Sequence, residues 1–284
     1  MKKIVVFDFY LSRYLVSIEN KKVGQQQGKT YEKEFDITCL KNSSKIIFLN
    51  QSEKDFYLDI LSYSVPPNRI EIISLKSPIR KKAKLLAFRN INRQRIFNIC
   101  WWGKASQLHG IENMLNGLKQ LESIRTDFKV NLFENNRNRA LHLAEQVNAL
   151  GFVVEINVHD SLTFVNGLEE YLVNNCDISL GSFGDTRMAK TVLMNKVVDT
   201  LSLGIPMVTQ ASEAIFEFGL NEDILWIPKN LSSSSISSTL NQLMEYNLIP
   251  NDFQKRTHTK FQYNFTSNSF EISFEKLLIS VSGT

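Results

Sequence analysis

Short, almost wholly apolar runs recur along the chain, and between them lie stretches in which apolar residues return every three or four positions. The first kind comprises Ile4 to Phe9, Lys45 to Asn50, Ile70 to Ile73, Phe97 to Trp102, Lys129 to Phe133, Val153 to Val158, Ile178 to Leu180, Met207 to Thr209 and Ile224 to Ile227. Runs this short and this apolar predict strands buried on both faces. The second kind comprises Ile111 to Ser123, Asn138 to Leu150, Thr163 to Asn174, Lys190 to Leu203 and Ser232 to Tyr246, and predicts amphipathic helices. Strands alternating with helices predict an α/β chain whose parallel sheet is covered on both faces.

The alternation is complete in the second part of the chain and partial in the first. It predicts a partial Rossmann-like domain over residues 1–80, a linker over 81–95, a complete Rossmann-like domain over 96–256 and a closing helical segment over 257–284. The polar, basic stretch from Ser77 to Gln94 separates the two parts. Its cluster Arg80 to Lys84 fits either a solvated linker or an anionic membrane surface. In the closing segment Phe270, Ile272, Phe274, Leu277 and Leu278 have helical spacing.

Composition narrows the class. With 43% hydrophobic and 22% charged residues in 284, the chain can build a sizeable core. A net charge of +4 spread along the sequence does not imply nucleic acid. Cys39, Cys100 and Cys176 lie far apart and make no CxxC, so they predict reduced thiols and a cytoplasmic setting. Asp8 interrupts the apolar start, and no stretch is long enough to span a bilayer.

Chemistry concentrates in two segments. In FNICWWGKASQLHGIENML a buried strand meets Gly103, and Gly110 opens a helix. Such a turn gathers backbone N–H groups and a positive helix end at one point, which suits a diphosphate; the spacing is not GxGxxG and disfavours a dinucleotide cofactor. Lys104 and His109 read equally as an exposed turn cation and a polar cap. Trp101 and Trp102 read as core, with Trp102 the better candidate for a cleft wall because it adjoins Gly103. In CDISLGSFGDTRMAKTVLMNKVVDTLSLGIPMVTQ a strand runs into a Gly/Ser/Phe/Gly loop, then a helix carrying Asp199 that closes at Gly204. A carboxylate there can accept both hydrogen bonds of a ribose diol, or can simply be solvated, as can Lys190 and Lys196.

Together the two segments resemble the donor-binding domain of the retaining GT-B glycosyltransferases, in the large group that contains many bacterial polysaccharide and lipid-sugar enzymes. Gly103 and Gly110 occupy the glycines of that family's strand-Gly-Arg...Lys-Gly element, with Lys104 at the arginine position and His109 at the lysine position. Asp177, Leu180, Gly181, Phe183, Gly184, Asp185, Thr186, Asn195, Lys196, Val197, Leu203, Gly204 and Pro206 match a second block of one subgroup. The resemblance implies a GT-B fold and transfer of a sugar from a nucleoside diphosphate donor to a glycan or lipid-linked acceptor, with retention of configuration and neither metal nor cofactor.

The resemblance also implies roles. Lys104 is the expected catalytic cation at the donor diphosphate, with Gly103, His109 and Gly110 beside it. Backbone N–H groups around Asn195 and Lys196 would meet the same phosphates, with Lys190 on the adjoining helical stretch, and Asp199 would hold the ribose. The family's first acid is replaced by Thr191, so contact to the donor sugar falls to Phe183, Gly184 or Asp185, or is lost.

The N-terminal part resembles only the later portion of a first GT-B domain, with Ser52 at a turn and Ile70 to Ile73 as the last strand, and the resemblance implies that the helix of residues 257–284 crosses back to that domain. The partial match implies a shortened acceptor side, completed by a second copy or by a separate glycosyltransferase subunit, and action in the cytoplasm or at the inner membrane surface. Two further readings accompany it. One is a degenerate donor-binding subunit in a glycan-assembly complex. The other, minor, is a nucleotide-sugar 2-epimerase, for which no suitable cluster stands around Asp8, Glu32 or Glu34.

Overall fold

The computed structural model describes residues 4–19, 27–85, 96–220, 224–245 and 252–282. The chain divides into two compact units, Met1–Lys76 with Asn264–Thr284, and Ser77–Tyr263.

The first unit is built on a parallel sheet of β1 (Val6–Asp8), β2 (Lys45–Phe48) and β3 (Ile70–Ile72) in the order β1-β2-β3. Helices α1 (Arg13–Glu19), α2 (Gln27–Asn42) and α3 (Gln51–Leu61) lie between the strands in sequence. Phe9 is buried with its ring edge-on to Phe48 and Tyr57, at centroid distances of 5.5 and 5.4 Å. Buried Asp36 of α2 caps the start of α1, accepting from Ser12 Oγ at 2.7 Å and Tyr14 N at 3.0 Å. The helix cap before α3 is Asn50, which accepts from Glu53 N at 2.8 Å, so Ser52 sits inside the first turn and not at the cap. The closing helix, Ser267–Ser282, packs Phe270, Phe274 and Leu277 on Ile47 and Ile73, while Ile272 and Leu278 face outward.

The second unit contains β4 (Phe97–Trp102), α4 (Ile111–Glu122), β5 (Phe128–Phe133), α5 (Arg137–Ala149), β6 (Ile156–His159), α6 (Leu168–Asn175), β7 (Ile178–Leu180), α7 (Arg187–Thr191), α8 (Asn195–Leu203), β8 (Met207–Val208), α9 (Glu213–Glu217), β9 (Leu225–Trp226), α10 (Ser233–Glu245) and α11 (Phe253–Asn264). Its six strands are all parallel, in the order β6-β5-β4-β7-β8-β9. Every residue of β4 is buried. Alternation along the strand sends Phe97, Ile99 and Trp101 into a core shared with α4 and α10, and Cys100 and Trp102 into one shared with α6 and α8. Helices thus cover both faces, as the apolar pattern of the strands requires.

Several boundaries differ from the sequence expectation. β6 starts at Ile156, because the Val153 and Val154 N–H groups go to Glu122 Oε1 at 2.6 and 2.7 Å and leave Val153 exposed. α6 begins only at Leu168, after Gly167 at φ +83°. The helix expected over residues 190–203 is two helices, since Val192 and Met194 are extended, at ψ 157° and 137°. Residues 86–95 of the expected linker lie outside the described residues. Residues 81–85 pack onto the second unit, with Ala83 N donating to Leu203 O and Lys84 N to Val173 O, both at 2.8 Å. The serine-rich run starts α10 through Ser232 Oγ, which accepts from Ser235 N at 3.2 Å. Among the described residues no helix is long and apolar enough to cross a membrane.

Candidate functional site

The strand order reverses between β4 and β7: the chain winds outward from β4 through β5 to β6, returns beside β4 as β7 and winds outward again through β8 to β9. Connections leaving the carboxyl ends of two such strands diverge and leave a crevice, the usual ligand position in an open α/β sheet. Both sequence motifs converge there. Gly103 leaves β4 at φ +132°, a conformation that disfavours any side chain, and a single 3-10 turn, Gln107–His109, leads to Gly110 at φ +60° and into α4.

The loop after β7 locks into that turn backbone to backbone. Phe183 N donates to His109 O at 3.0 Å, and Asn113 Nδ2 donates to Phe183 O at 2.8 Å. A Cβ on Gly110 would lie 2.1 Å from Phe183 C, and one on Gly184 would lie 2.3 Å from Leu108 O. The glycines at 110 and 184 are therefore dictated by how closely the two loops approach. Phe183 itself is fully buried in the core and presents no ring to a ligand.

Within the crevice lies a buried cation. Lys196, in the first turn of α8, is 4% exposed; its Nζ sits 4.2 Å over the Trp101 ring and donates one long hydrogen bond to Gly181 O at 3.4 Å. Burial alone drives its pKa well below the usual lysine value, and no carboxylate among the described residues opposes this. Beside it His109 meets Trp101 edge-on at 5.9 Å. Burial first, and then the nearby Lys196 charge, lower the His109 pKa to about 2, so the ring is neutral, and its Nδ1 is buried without a hydrogen-bond partner. A Cβ on Gly103 would approach His109 Cε1 to 3.2 Å and Lys196 Cε to 3.5 Å. Trp101 thus floors the part of the site that holds Lys196 and His109, whereas Trp102, on the opposite face of β4, lies beside Asp199. Trp102 faces Phe164 on the other side, 6.1 Å away.

Asp199 lies nearly one turn further along α8 and is held by the segment that precedes β4. Its Oδ1 accepts from Ser77 Oγ at 3.0 Å and from Arg80 NH2 at 3.1 Å. Burial raises the Asp199 pKa, and Arg80 and Ser77 oppose that rise without cancelling it. Arg80 also reaches Glu169 at 3.0 Å and stacks 3.9 Å over Phe164, with a side chain only 9% exposed. Arg80 is therefore no solvated linker cation, although it belongs to the basic cluster that the sequence reads as one.

The remaining candidates lie at the rim. Lys104 and Asn195 are exposed, and Asp185 pairs with Lys190 at 2.5 Å, both well exposed. Thr191 is buried and turned into its own helix, its Oγ1 donating to Arg187 O at 3.0 Å. A cavity of about 610 Å³ opens beside the Gly110 turn, between Gln107, Asn113, Arg139 and Asp185. Sequence reasoning missed Glu134 at the end of β5, which is fully buried. It accepts from Ala105 N at 2.6 Å and Arg139 at 2.9 Å and so braces the turn that follows Gly103. Burial works against its charge, but Arg139 and the Ala105 and Asn136 N–H groups prevail and hold its pKa below the usual glutamate range. An acid following a strand is the one signal that could have found it.

Comparison with known proteins bears on the whole arrangement. Sucrose-phosphate synthase from Thermosynechococcus elongatus superposes with a TM-score of 0.72 at 11% identity, over 98% of this chain and 68% of its own. HepE from Anabaena, solved with UDP and glucose, gives 0.71 at 12% identity over 97% and 71%. The chain has the GT-B glycosyltransferase fold. WaaG, a glycosyltransferase involved in lipopolysaccharide biosynthesis, shares that GT-B fold at 0.65 and 14% identity, over 97% of this chain and 74% of its own. No family model and no curated protein matches the sequence.

Proposed function

We propose that the second unit binds a nucleoside diphosphate sugar and that the protein transfers the sugar to a glycan or lipid-linked acceptor with retention of configuration. The observation that carries this reading is the crevice at the β4/β7 reversal, where two interlocked glycine loops face the start of α8, with Asp199 three residues beyond Lys196 on that helix. The diphosphate lies by Gly103, Lys104, His109 and the first turn of α8, and the ribose lies against Asp199. In the reaction the acceptor hydroxyl oxygen bonds to the anomeric carbon as the bond from that carbon to the β-phosphate oxygen breaks. The electron pair leaves with the nucleoside diphosphate, and the hydroxyl proton passes to the departing phosphate. Positive groups at the phosphates favour this step because negative charge grows there in the transition state.

Thr191 favours a second reading, a donor-binding subunit without transfer activity, because the residue at the family's first acidic position is turned into its own helix and offers the sugar nothing. Calorimetry with UDP, GDP, ADP and their sugar conjugates tests both readings. Micromolar binding that Asp199→Ala weakens at least tenfold, together with sugar transfer that keeps the anomeric configuration by NMR, supports the transferase. Binding without transfer or hydrolysis leaves the second reading, and a folded protein that binds no nucleotide overturns both.

A further inference from the structure

The Lys196 side chain has no structural employment that an apolar residue would not fill as well. It is 4% exposed, its ammonium rests on an indole face and one carbonyl 3.4 Å away, and among the described residues no carboxylate pairs with it. An ammonium ion buried on such terms costs the free protein stability, since neither an aromatic face nor one long hydrogen bond replaces a hydration shell. Three features then point outward from it to one missing partner. The adjacent His109 Nδ1 is buried and unpaired. Gly103, held at φ +132°, leaves open the volume that a side chain would occupy against Lys196 Cε and His109 Cε1. The nine-residue helix α8, preceded by Met194, has no side-chain cap on its first N–H groups.

We propose that the Lys196 ammonium, more than that of exposed Lys104, is the cation that receives the donor diphosphate and stabilises it as it leaves. The inference rests on the transferase reading and deepens it. In this chain the phosphate-binding charge comes from α8, the second helix after β7, where the family resemblance implies a residue of the turn after β4. A diphosphate brings the counter-charge that the free protein lacks, and His109 Nδ1 faces the same volume as a hydrogen-bonding partner. Because the ammonium lies within the crevice wall, its field acts in a low dielectric, whereas the Lys104 charge is screened by solvent.

Thermal melts and calorimetry on the full chain, with UDP, GDP, ADP and inorganic pyrophosphate as probes, test this. Lys196→Met is expected to weaken nucleoside diphosphate binding roughly 100-fold, to abolish the stabilisation by pyrophosphate, and to melt no lower than wild type when free. A residue of purely structural importance would lower that melting point. Lys104→Ala is expected to weaken binding only a few-fold, and Lys196→Arg, which keeps the charge, to retain more binding than Lys196→Met and to serve if that variant does not fold. Nucleotide binding that survives Lys196→Met but fails in Lys104→Ala overturns the proposal and leaves the transferase reading standing. Pyrophosphate binding that depends on Lys196 without any nucleotide binding keeps the anion site and overturns the transferase. Absence of both in folded wild type overturns both.

Discussion

Arg80 and Lys196, two basic side chains of the second unit, are withdrawn from solvent in opposite ways. Arg80 is 9% exposed in its side chain and meets two carboxylates, Glu169 at 3.0 Å and Asp199 at 3.1 Å, above the Phe164 ring. Lys196 lies over Trp101 with, among the described residues, one long bond to a carbonyl and no carboxylate. Both have an aromatic face, so the aromatic contact does not separate them; the counter-ion does. Arg80 is complete in the free protein and fastens residues 77–85 to α6 and α8. Lys196 has no such counter-ion among the described residues, and this contrast is the one on which its proposed role at the diphosphate rests.

Substitutions that break the comparison should differ in sign as well as size. Arg80→Met should have the largest effect, because it strands Glu169 and Asp199 together in a half-buried setting. A loss of about 3 kcal/mol in chemical denaturation is expected, with donor affinity falling as well because Asp199 loses its anchor. A loss under about 0.5 kcal/mol would show that the Arg80 cluster is no more than a surface ion pair.

The pH dependence of stability sharpens the comparison by a smaller amount. At Lys196 the folded pKa lies below the unfolded value of 10.5, so its favourable contribution is present in full above 10.5 and is lost as pH falls through the folded value. The stability advantage of Lys196→Met over wild type should therefore be largest near neutrality and shrink as pH climbs toward 10.5. At Asp199 the folded value lies above 3.8, so its contribution is present in full below 3.8 and is lost as pH rises through the folded value. Asp199→Asn should accordingly flatten the acid side of the profile and leave the alkaline side alone. An alkaline limb that is the same in Lys196→Met and wild type would mean that Lys196 is hydrated in solution.

The smallest effect belongs to Lys104→Ala, which should change unfolding free energy by less than about 0.5 kcal/mol, since an exposed turn cation leaves nothing unpaired when removed. A larger loss would place Lys104 in a structural contact and weaken its contrast with Lys196.

Particular residues show what was readable from the chain. β4 and β7 lie at the residues that apolar content alone predicts, because a central parallel strand buries both faces. The glycines at 103, 110 and 184 were readable as turns, but their reason was not, since the 2.1 Å approach of Phe183 to position 110 involves residues 73 apart in sequence. The break before α8 was invisible because no glycine or proline marks Val192 to Met194, and it is this break that places Lys196 in a first helical turn. Helix α2 was missed because its periodicity is weak and Phe35 faces outward. Glu134 and Arg80 were passed over because an isolated acid or base carries no local pattern.

Local periodicity and backbone conformation were thus enough to read the α/β class, the strands of the second sheet and the two glycine-marked loops from the chain. Only the tertiary structure decided which charges have partners. Asp199 is anchored, Asp185 and Lys190 satisfy each other, and Lys196 meets no carboxylate among the described residues, because pairing and burial depend on distances between side chains that the chain brings together only when folded.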